Sequence, residues 1–303
     1  MNPMSQVQIS LIVPIYQSKA ALHSCLDSLK NQDFQERYEI LLVPFGSTDG
    51  SEEVCEEYAR SYPDLFRVYP SEKNYGVSAS RNVGLLLSRG KYVAFVDSDD
   101  ELSPNFLSFL YAKAEKSMAD IVSCGFYMYG PTKHLQWARI RSKTTGRKAL
   151  SRFLSFRGLN LRAYCWGRLY RRDFLLREKI RFPSELGLYE DWVFFVRCLM
   201  KADRVEFYRK PLYHYCQRTP SLTHSRKDFA ASFTEALKRI LREVSAEDPS
   251  YFLSLPLLSV SVKAHLYWAC KETEASFRER YSVRKKELES VWKEERKNAK
   301  ERL

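Results

Sequence analysis

Short apolar runs alternate with longer amphipathic stretches along the first 130 residues of the chain. The short runs are rich in β-branched and aromatic residues, a pattern typical of strands buried on both faces of a parallel sheet. Each amphipathic stretch is long enough to form a helical crossover between two parallel strands. The alternation predicts an α/β fold in which helices flank a mostly parallel sheet. The predicted strands are Ile9–Ile15, Glu39–Val43, Phe66–Tyr69, Lys91–Val96 and Asp120–Tyr127, and the predicted helices are Ala20–Lys30, Ser51–Ser61, Val77–Ser88 and Pro104–Lys116.

The alternation stops after Gly130, and the order of predicted elements becomes irregular. The predicted strands are His134–Arg141, Val205–Tyr208 and Leu212–Gln217, an aromatic stretch covers Tyr164–Tyr170, and the predicted helices are Arg147–Phe156, Arg171–Lys179 and Glu190–Lys201. From Phe229 to Leu303 the pattern predicts helix throughout. We therefore expect one domain over residues 1–222, made of the halves 1–130 and 131–222, followed by a C-terminal helical extension over residues 223–303.

The composition narrows the class of protein. With 303 residues, 45% of them hydrophobic, the chain is long and apolar enough to bury a substantial core. Its seven cysteines form no Cys-x-x-Cys pair, which argues against a disulfide framework and a zinc site. There is no run of roughly 18 apolar residues and no basic leader before Ile9. We expect a cytoplasmic protein that does not span the membrane, with peripheral membrane binding left open.

The positive charge of the chain is concentrated in one segment. The formal net charge is +12, and the segment Pro131–Phe182 alone holds 15 Lys and Arg residues against two acids. Such an excess indicates an anionic partner, which is a phosphate group, a nucleic acid or an acidic membrane surface. The sequence contains no recognised nucleic-acid reader motif, so we expect no specific nucleic-acid binding.

Three carboxylates directly follow the predicted strand Lys91–Val96, in the order Asp97-Ser98-Asp99-Asp100. Ligands of open parallel sheets bind at the carboxyl ends of the strands. Clustered carboxylates repel one another unless a cation or hydrogen-bond donors neutralise them, and oxygen ligands of this kind suit Mg²⁺ or Mn²⁺ shared with substrate phosphates. The cluster predicts a site for a metal and a diphosphate. The structural alternative is that Asp99 or Asp100 caps the next helix.

Two other segments carry polar groups suited to binding or catalysis. The pair Glu190-Asp191 begins an aromatic-rich helix, where a carboxylate serves either as a general base or as a favourable charge at a helix N-terminus. The segment from Asn74 to Asn82 includes Gly76 and Arg81, and its backbone N–H groups and guanidinium are suited to hold a base or a phosphate. An ordinary capped helix with a surface arginine explains the second segment equally well.

The order of the segments along the chain is more specific than any one of them. The series is Ile12-Val13-Pro14-Ile15-Tyr16, Cys25-Leu26-Asp27-Ser28-Leu29, Gly46-Ser47-Thr48-Asp49-Gly50, Asn74 to Asn82, Phe95-Val96-Asp97-Ser98-Asp99-Asp100 with Pro104, and Glu190-Asp191. It resembles the family 2 glycosyltransferases of the GT-A fold, and the resemblance extends through Tyr170-Arg171-Arg172 and Leu212-Tyr213-His214-Tyr215 to about Ser221. The C-terminal helices show no comparable match. The resemblance implies transfer of a sugar from a nucleotide-diphosphate donor to an acceptor hydroxyl, with inversion at the anomeric carbon.

The resemblance also implies roles for individual residues. Asp99 corresponds to the metal-coordinating end of a D-x-D motif, and Asp97 to a ligand of the donor ribose and of the Mn²⁺ or Mg²⁺ ion. Asp191 corresponds to the catalytic base, which accepts the proton of the acceptor hydroxyl. The positions implied to line the nucleotide pocket are Pro14, Tyr16, Asn74, Gly76, Arg81 and Asp97, with Tyr16 suited to stack on the base.

The chain departs from the family pattern after the second predicted strand. Where the family reads V-D-D-G-S-T-D, this sequence reads Val43-Pro44-Phe45 before Gly46, so both acids are replaced. The second acid of the family accepts a hydrogen bond from the donor base, and Phe45 cannot accept one. Two expectations follow: an active enzyme that packs Phe45 against the base edge, or a non-catalytic binding module of GT-A fold that has lost donor recognition.

The basic segment surrounds the region where the family holds its acceptor. This placement suggests an anionic or membrane-tethered acceptor, such as a polyprenyl-diphosphate-linked glycan of surface polysaccharide synthesis, that faces Arg139, Arg141, Arg168 or Arg172. A solvated surface whose side-chain stems cover apolar area is the alternative. The C-terminal helices carry an apolar stripe that is expected to dock on the catalytic domain, on a partner helix such as that of a second copy, or on the bilayer interface.

Overall fold

The computed structural model describes residues 6–130, 134–137, 142–154, 163–217, 229–255 and 277–303. The strands are β1 (Ile9–Ile15), β2 (Tyr38–Pro44), β3 (Phe66–Val68), β4 (Tyr92–Phe95), β5 (Glu101–Leu102), β6 (Ile121–Tyr129), β7 (His134–Trp137), β8 (Ser142–Thr144), β9 (Arg168–Arg171) and β10 (Val205–Cys216). The helices are α1 (Lys19–Lys30), α2 (Ser51–Ser61), α3 (Val77–Leu87), α4 (Phe106–Ser117), α5 (Gly146–Leu154), α6 (Arg172–Arg177), α7 (Glu190–Lys201), α8 (Phe229–Glu247), α9 (Pro249–Ser254) and α10 (Phe277–Glu301).

The strands of the described ranges form one sheet in the order β3-β2-β1-β4-β9-β6-β10-β5, with β7 beside β6 and β8 beside β10. The first four strands in that order are all parallel, as their continuous apolar sequences predict. Beyond β4 the sheet is mixed, because β9 runs antiparallel to both of its neighbours while β6 and β10 are parallel. The α/β fold with flanking helices is confirmed, and its second half contains more antiparallel pairing than we expected.

Helices cover both faces of the sheet and bury two apolar clusters. All seven residues of β1 are buried, and successive side chains point to opposite faces, so that Leu11 and Val13 join one cluster while Ile12 joins the other. The cluster around Leu11 includes α1, α2 and α4, and the cluster around Ile12 includes α3 and α5 to α10. This two-sided burial explains why β1 contains no exposed polar side chain.

Helix α3 approaches the sheet at Gly84. A Cβ atom at this position would lie 2.3 Å from Cγ2 of Ile12, a distance that real side chains do not adopt. Glycine therefore permits the close contact between α3 and β1. This contact fixes where the first turns of α3 lie relative to the ends of β1 and β4.

The C-terminal helices pack on the same apolar cluster as α7. Phe233 and Leu237 of α8 and Trp292 of α10 belong to the cluster that contains Phe194, and Trp292 lies 4.8 Å from Phe252 between ring centroids. Three contacts were expected for these helices. The structure shows one of them, docking on the catalytic domain, through the cluster that includes α7. The predicted boundary between residues 222 and 223 lies outside the described residues and stays a prediction.

Several element boundaries differ from the predictions. The two predicted strands Val205–Tyr208 and Leu212–Gln217 form the single strand β10, whose pairing with β6 shifts register around Pro211. Proline cannot donate to the ladder, which explains both the irregularity and the apparent break in the sequence pattern. The predicted C-terminal helix is interrupted at Asp248, whose side chain caps α9 by accepting a hydrogen bond from the Tyr251 N–H. In the described part of the chain, no helix has the length and apolarity needed to cross a membrane.

Candidate active site

The carboxyl ends of β1 and β2 bring two aromatic rings together. Ile15 pairs with Pro44 in the last register of these strands, so Tyr16 and Phe45 leave the sheet side by side. Their rings are stacked, with centroids 5.4 Å apart and planes inclined by 17°. Phe45 is only 5% exposed. The residue that replaces the expected acid therefore supports one face of Tyr16.

The loop before α3 lies against the loop that follows β2. A Cβ atom on Gly46 would lie 3.2 Å from the backbone nitrogen of Asn74, so these two loops are in close contact. The Asn74 Oδ1 atom accepts a hydrogen bond from the Gly76 N–H at 2.8 Å. Gly76 has φ 85° and ψ 161°, which only glycine adopts readily, and no atom lies within 4 Å of where its Cβ would be. The loop thus has open space beside the partly exposed Gly76.

The acidic loop that follows β4 alternates between outward and inward side chains. Asp97 and Asp99 are partly exposed, whereas Ser98 and Asp100 are buried. Asp100 accepts hydrogen bonds from the Tyr213 hydroxyl at 2.6 Å and from the Cys216 N–H at 2.8 Å. Burial, together with the charges of Asp97 and Asp99, raises the pKa of Asp100 well above its ordinary value. Asp100 therefore anchors the loop to β10.

The capping alternative for Asp100 is wrong. Helix α4 begins at Phe106, its N-cap residue is Asn105, and no side chain caps it. The Asp100 carboxylate instead accepts the two hydrogen bonds from β10. Sequence reasoning missed Tyr213 as the anchor of this loop, although it lies within a segment that resembles the family. The Tyr213 hydroxyl oxygen also accepts a hydrogen bond from the Asp97 N–H at 3.2 Å.

Arg81 joins the acidic loop to the first turn of α7. Its Nη2 atom lies 2.7 Å from Oδ1 of Asp97, and its Nη1 atom lies 2.9 Å from Oε1 of Glu190. The Arg81 side chain is 6% exposed, so the surface-arginine alternative is wrong. Glu190 was expected only as the neighbour of Asp191, and the structure shows it as the second carboxylate on this guanidinium.

Asp191 lies in the same electrostatic environment as Asp97. Burial, the adjacent charge of Glu190 and the charge of Asp97 together raise the pKa of Asp191 to about 8, against the opposing effect of Arg81. Tyr189, the N-cap residue of α7, has φ 63°. This conformation is uncommon for a bulky residue and occurs at functional sites. Through Arg81, the structure thus links the loop of Asp97 to the helix turn that holds Glu190 and Asp191, while the roles expected for Asp97 and Asp191 stay predictions. A carboxylate with a raised pKa is suited to exchange protons near neutral pH.

His214 belongs to the segment Leu212-Tyr213-His214-Tyr215 of the family resemblance, and its contacts indicate a structural role. Its Nε2 atom lies 2.8 Å from the Ser103 hydroxyl, and its Nδ1 atom lies 3.1 Å from the Tyr129 hydroxyl. The imidazole also stacks on Tyr129 with an interplanar angle of 3°. Both ring nitrogens therefore have hydrogen-bond partners, one in β6 and one directly after β5.

The acidic loop suits a divalent cation. Among the described residues, no group of three His, Cys, Asp or Glu side chains has the arrangement of a complete metal site. Asp97 and Asp99 nevertheless supply the hard oxygen donors that Mg²⁺ and Mn²⁺ prefer, and sites for these ions commonly use one or two carboxylates with substrate phosphates.

A comparison with known proteins identifies the family. Residues 10–177 match the profile of "Glycosyl transferase family 2". The chain belongs to this family. It is 32% identical over 221 residues to the uncharacterized glycosyltransferase EpsJ of Bacillus subtilis, a match that covers 71% of this chain and 62% of EpsJ. The chain spans about three fifths of the length of the first curated relatives that it matches.

Two further comparisons concern a curated relative and a solved structure. The poly(ribitol-phosphate) beta-glucosyltransferase of Bacillus spizizenii is 25% identical over 264 residues, which cover 86% of this chain and 40% of that protein. The crystal structure of S. aureus TarS 1-349 in complex with UDP-GlcNAc has a TM-score of 0.69 and 21% identity, and it covers 97% of this chain and 92% of that one. The structural likeness confirms the GT-A fold that the sequence motifs implied.

The basic residues expected to face an acceptor do not gather at this site. Arg139 and Arg141 lie outside the described residues. Arg168 is buried, and its guanidinium lies 4.1 Å above the Phe195 ring. The Arg172 Nε atom donates a hydrogen bond to the Ser88 hydroxyl near the start of β4, whereas Asp97 follows the other end of this strand. Arg168 is therefore a core side chain, and Arg172 lies at the end of β4 opposite to Asp97. The acceptor contact expected of these two residues stays a prediction.

Proposed function

We propose that this chain is a metal-dependent, inverting glycosyltransferase, which moves a sugar from a nucleotide-diphosphate donor to an acceptor hydroxyl. The observation that carries the proposal is the Arg81 guanidinium, which binds the Asp97 carboxylate of the acidic loop and the Glu190 carboxylate beside Asp191. Two carboxylate segments that are far apart in sequence thus border one site. Membership of family 2 supports the reaction class.

The donor nucleotide binds at the ends of β1 and β2 in this proposal. Pro14 and Tyr16 form one side of the pocket, and the Asn74 loop with Gly76 forms another. The Phe45 ring holds Tyr16 in a stacked orientation, so the Tyr16 ring is preorganised to pack on a base. The UDP-GlcNAc complex of TarS, which has the same fold, supports a nucleotide-sugar donor.

Asp99 and Asp97 would hold Mn²⁺ or Mg²⁺ at the acidic loop. When bound, the ion supplies Lewis-acid stabilisation for the departing diphosphate. The chain contributes the geometry of the loop, because the Tyr213 hydroxyl binds both Asp100 and the Asp97 N–H and so fixes the backbone between them. Asp97 and Asp99 are the partly exposed carboxylates of this loop, so a diphosphate can approach them.

Asp191 acts as the general base. The acceptor oxygen bonds to the anomeric carbon while the bond between that carbon and the diphosphate oxygen breaks, and the proton of the acceptor hydroxyl passes to the Asp191 carboxylate. Attack from the face opposite to the leaving group inverts the anomeric configuration. General-base catalysis of this kind contributes a factor of about 10² to 10⁴ in rate.

The acceptor is a glycan or a lipid-linked glycan of surface polysaccharide synthesis. Similarity to a poly(ribitol-phosphate) beta-glucosyltransferase supports an anionic, phosphate-containing polymer as one such acceptor. The 15 Lys and Arg residues of Pro131–Phe182 are compatible with an anionic acceptor or with peripheral contact at an anionic membrane from the cytoplasmic side. Flotation with neutral and anionic vesicles tests the membrane contact, and equal recovery with both would contradict its electrostatic part.

A non-catalytic binding module is the second candidate, and the replacement of two acids by Pro44 and Phe45 favours it. The two candidates differ in donor turnover. Incubation with radiolabelled nucleotide sugars and Mn²⁺ should release sugar to water slowly from an active enzyme, even without its acceptor. If no donor is turned over and no nucleoside diphosphate binds by calorimetry, the binding module that has lost donor recognition is correct.

The decisive experiment combines a donor panel with matched variants. We expect one nucleotide sugar to raise the unfolding temperature in the presence of Mn²⁺ and to be turned over by the native chain. Asp191→Asn should keep the thermal shift and lose turnover. Glu243→Gln serves as the control, because Glu243 of α8 pairs with Arg197 of α7, away from the acidic loop. Failure of every donor to bind would overturn the proposal.

A further inference from the structure

Arg81 and Glu190 have a geometry that suggests a shared role. One guanidinium binds two carboxylates through different nitrogens, at 2.7 Å for Asp97 and 2.9 Å for Glu190. Asp97 belongs to the loop after β4 and Glu190 to the first turn of α7. We call this three-residue arrangement the Arg81 bridge. It spans the two segments that carry the proposed donor ligands and the proposed base.

The Arg81 bridge is buried, which makes its geometry specific. The side chains of Arg81 and Glu190 are 6% and 11% exposed, while Asp97 keeps 28% of its side chain exposed. Buried charges need good geometry and several hydrogen bonds to offset their desolvation. The planar fork of Arg81 provides that geometry, whereas a lysine ammonium cannot hold the same two directions.

A second contact next to the bridge holds α3 against the segment before α7. The Asn82 amide donates to the Phe182 carbonyl and accepts from the Phe182 N–H, both at 2.9 Å. The Phe182 ring lies 5.3 Å from the Arg81 guanidinium and stacks at 3.9 Å on Phe194 of α7. The Phe182 and Phe194 rings therefore pack beside the bridge, and this packing restricts the movement of α3 relative to α7.

Resting on the proposed function, we propose that Arg81 and Glu190 are positioning residues that act through Asp97 and Asp191. The bridge sets the separation between the acidic loop, where the donor diphosphate binds, and the first turn of α7, where the base lies. In this arrangement both terminal nitrogens of Arg81 are engaged by protein carboxylates, and the nucleotide is not the ligand of Arg81. A small misplacement of the base relative to the donor costs about 10²-fold in rate.

The test is a double-mutant cycle with Arg81→Lys, Glu190→Gln and the double variant. Each single variant should lower kcat by about 10²-fold and change the dissociation constant of the nucleoside diphosphate, measured by calorimetry with Mn²⁺, less than about threefold. The double variant should be hardly worse than either single one, because residues that act as a unit give non-additive effects. A purely structural role would reduce the folded fraction without separating kcat from nucleotide binding.

Glu243→Gln is the matched control, since Glu243 of α8 forms a comparable fork, at 2.6 and 2.8 Å, with Arg197 of α7, the helix that also carries Glu190. It should leave kcat unchanged. Thermal unfolding of every variant identifies any loss of folding, and Arg81→Lys carries the test if Glu190→Gln does not fold. Additive losses, or a large rise in the nucleotide dissociation constant for Arg81→Lys alone, would overturn the positioning role while leaving the proposed function intact. A native chain that turns over no donor would overturn both.

Discussion

The hydroxyl of Tyr213 donates a hydrogen bond to the buried carboxylate of Asp100 across 2.6 Å. The same hydroxyl accepts the Asp97 N–H at 3.2 Å, so one side chain of β10 holds both ends of the acidic loop. This contact explains how a loop with three carboxylates keeps a defined shape. It also separates the role of Asp100, which is structural, from the roles proposed for Asp97 and Asp99.

Tyr213→Phe removes only the hydroxyl and should lower both stability and activity. It leaves the Asp100 carboxylate and the Asp97 N–H without this partner, which costs about 1–3 kcal/mol for a buried group. Urea unfolding measures the loss, and turnover measures the effect on the loop. Tyr92→Phe is the matched control, because Tyr92 is also fully buried and its hydroxyl binds Glu115, away from the loop. An equal loss of turnover in both variants would contradict a specific role for Tyr213.

Asp191→Asn should abolish catalysis and leave the donor bound. The amide keeps the shape of the carboxylate but cannot accept the acceptor proton, so kcat should fall by about 10² to 10⁴-fold. Initial-rate measurements with the donor identified in the panel provide the test, and calorimetry with the nucleoside diphosphate provides the binding control. Activity within about threefold of the native chain would exclude Asp191 as the base.

The activity should rise with pH through about 8. Burial and the charge of Glu190 raise the pKa of Asp191 to about 8, and only the ionised carboxylate accepts a proton. The rate constant kcat/KM should therefore be largest above this pH and decline as the pH falls below it. A pH profile of kcat/KM measures the limb directly. A limb near the ordinary value of an aspartate, about 4, would show that another group is the base.

Asp99→Asn should weaken the response to Mn²⁺ without unfolding the protein. Asp99 is partly exposed, so loss of its charge should change stability by less than about 0.5 kcal/mol. We expect a higher Mn²⁺ concentration for half-maximal turnover, since an amide is a weaker ligand than a carboxylate for hard cations. Titration of turnover with Mn²⁺ and with Mg²⁺ checks this, and unchanged metal dependence would remove Asp99 from the proposed site.

Phe45→Leu should weaken nucleotide binding through Tyr16. Leucine keeps most of the apolar burial but loses the ring stack, and an aromatic pair contributes about 0.5–1.5 kcal/mol beyond its buried area. The dissociation constant of the nucleoside diphosphate should rise by about 2- to 12-fold, with kcat little changed. Calorimetry measures the change. Unchanged binding would show that Tyr16 does not depend on Phe45 for its orientation at the base.

The spacing of apolar residues predicted most strands and helices of the first 130 residues. The predicted strand Ile9–Ile15 and helix Ser51–Ser61 have the observed bounds, because a fully buried strand and an amphipathic helix differ in the spacing of their apolar residues. The second half was harder to predict. Strand β10 appeared as two strands because Pro211 and its exposed neighbours interrupt the apolar pattern without ending the backbone pairing.

The sequence by itself determined that the chain alternates strands and helices, and that its acids follow a strand end where ligands of such sheets bind. Only the tertiary structure decided that Arg81 binds Asp97 and Glu190, that Phe45 stacks on Tyr16, and that Asp100 anchors the loop. The physical reason is the range of the interactions. Periodicity depends on neighbours within a few residues, whereas a hydrogen bond or a ring contact depends on how remote segments pack.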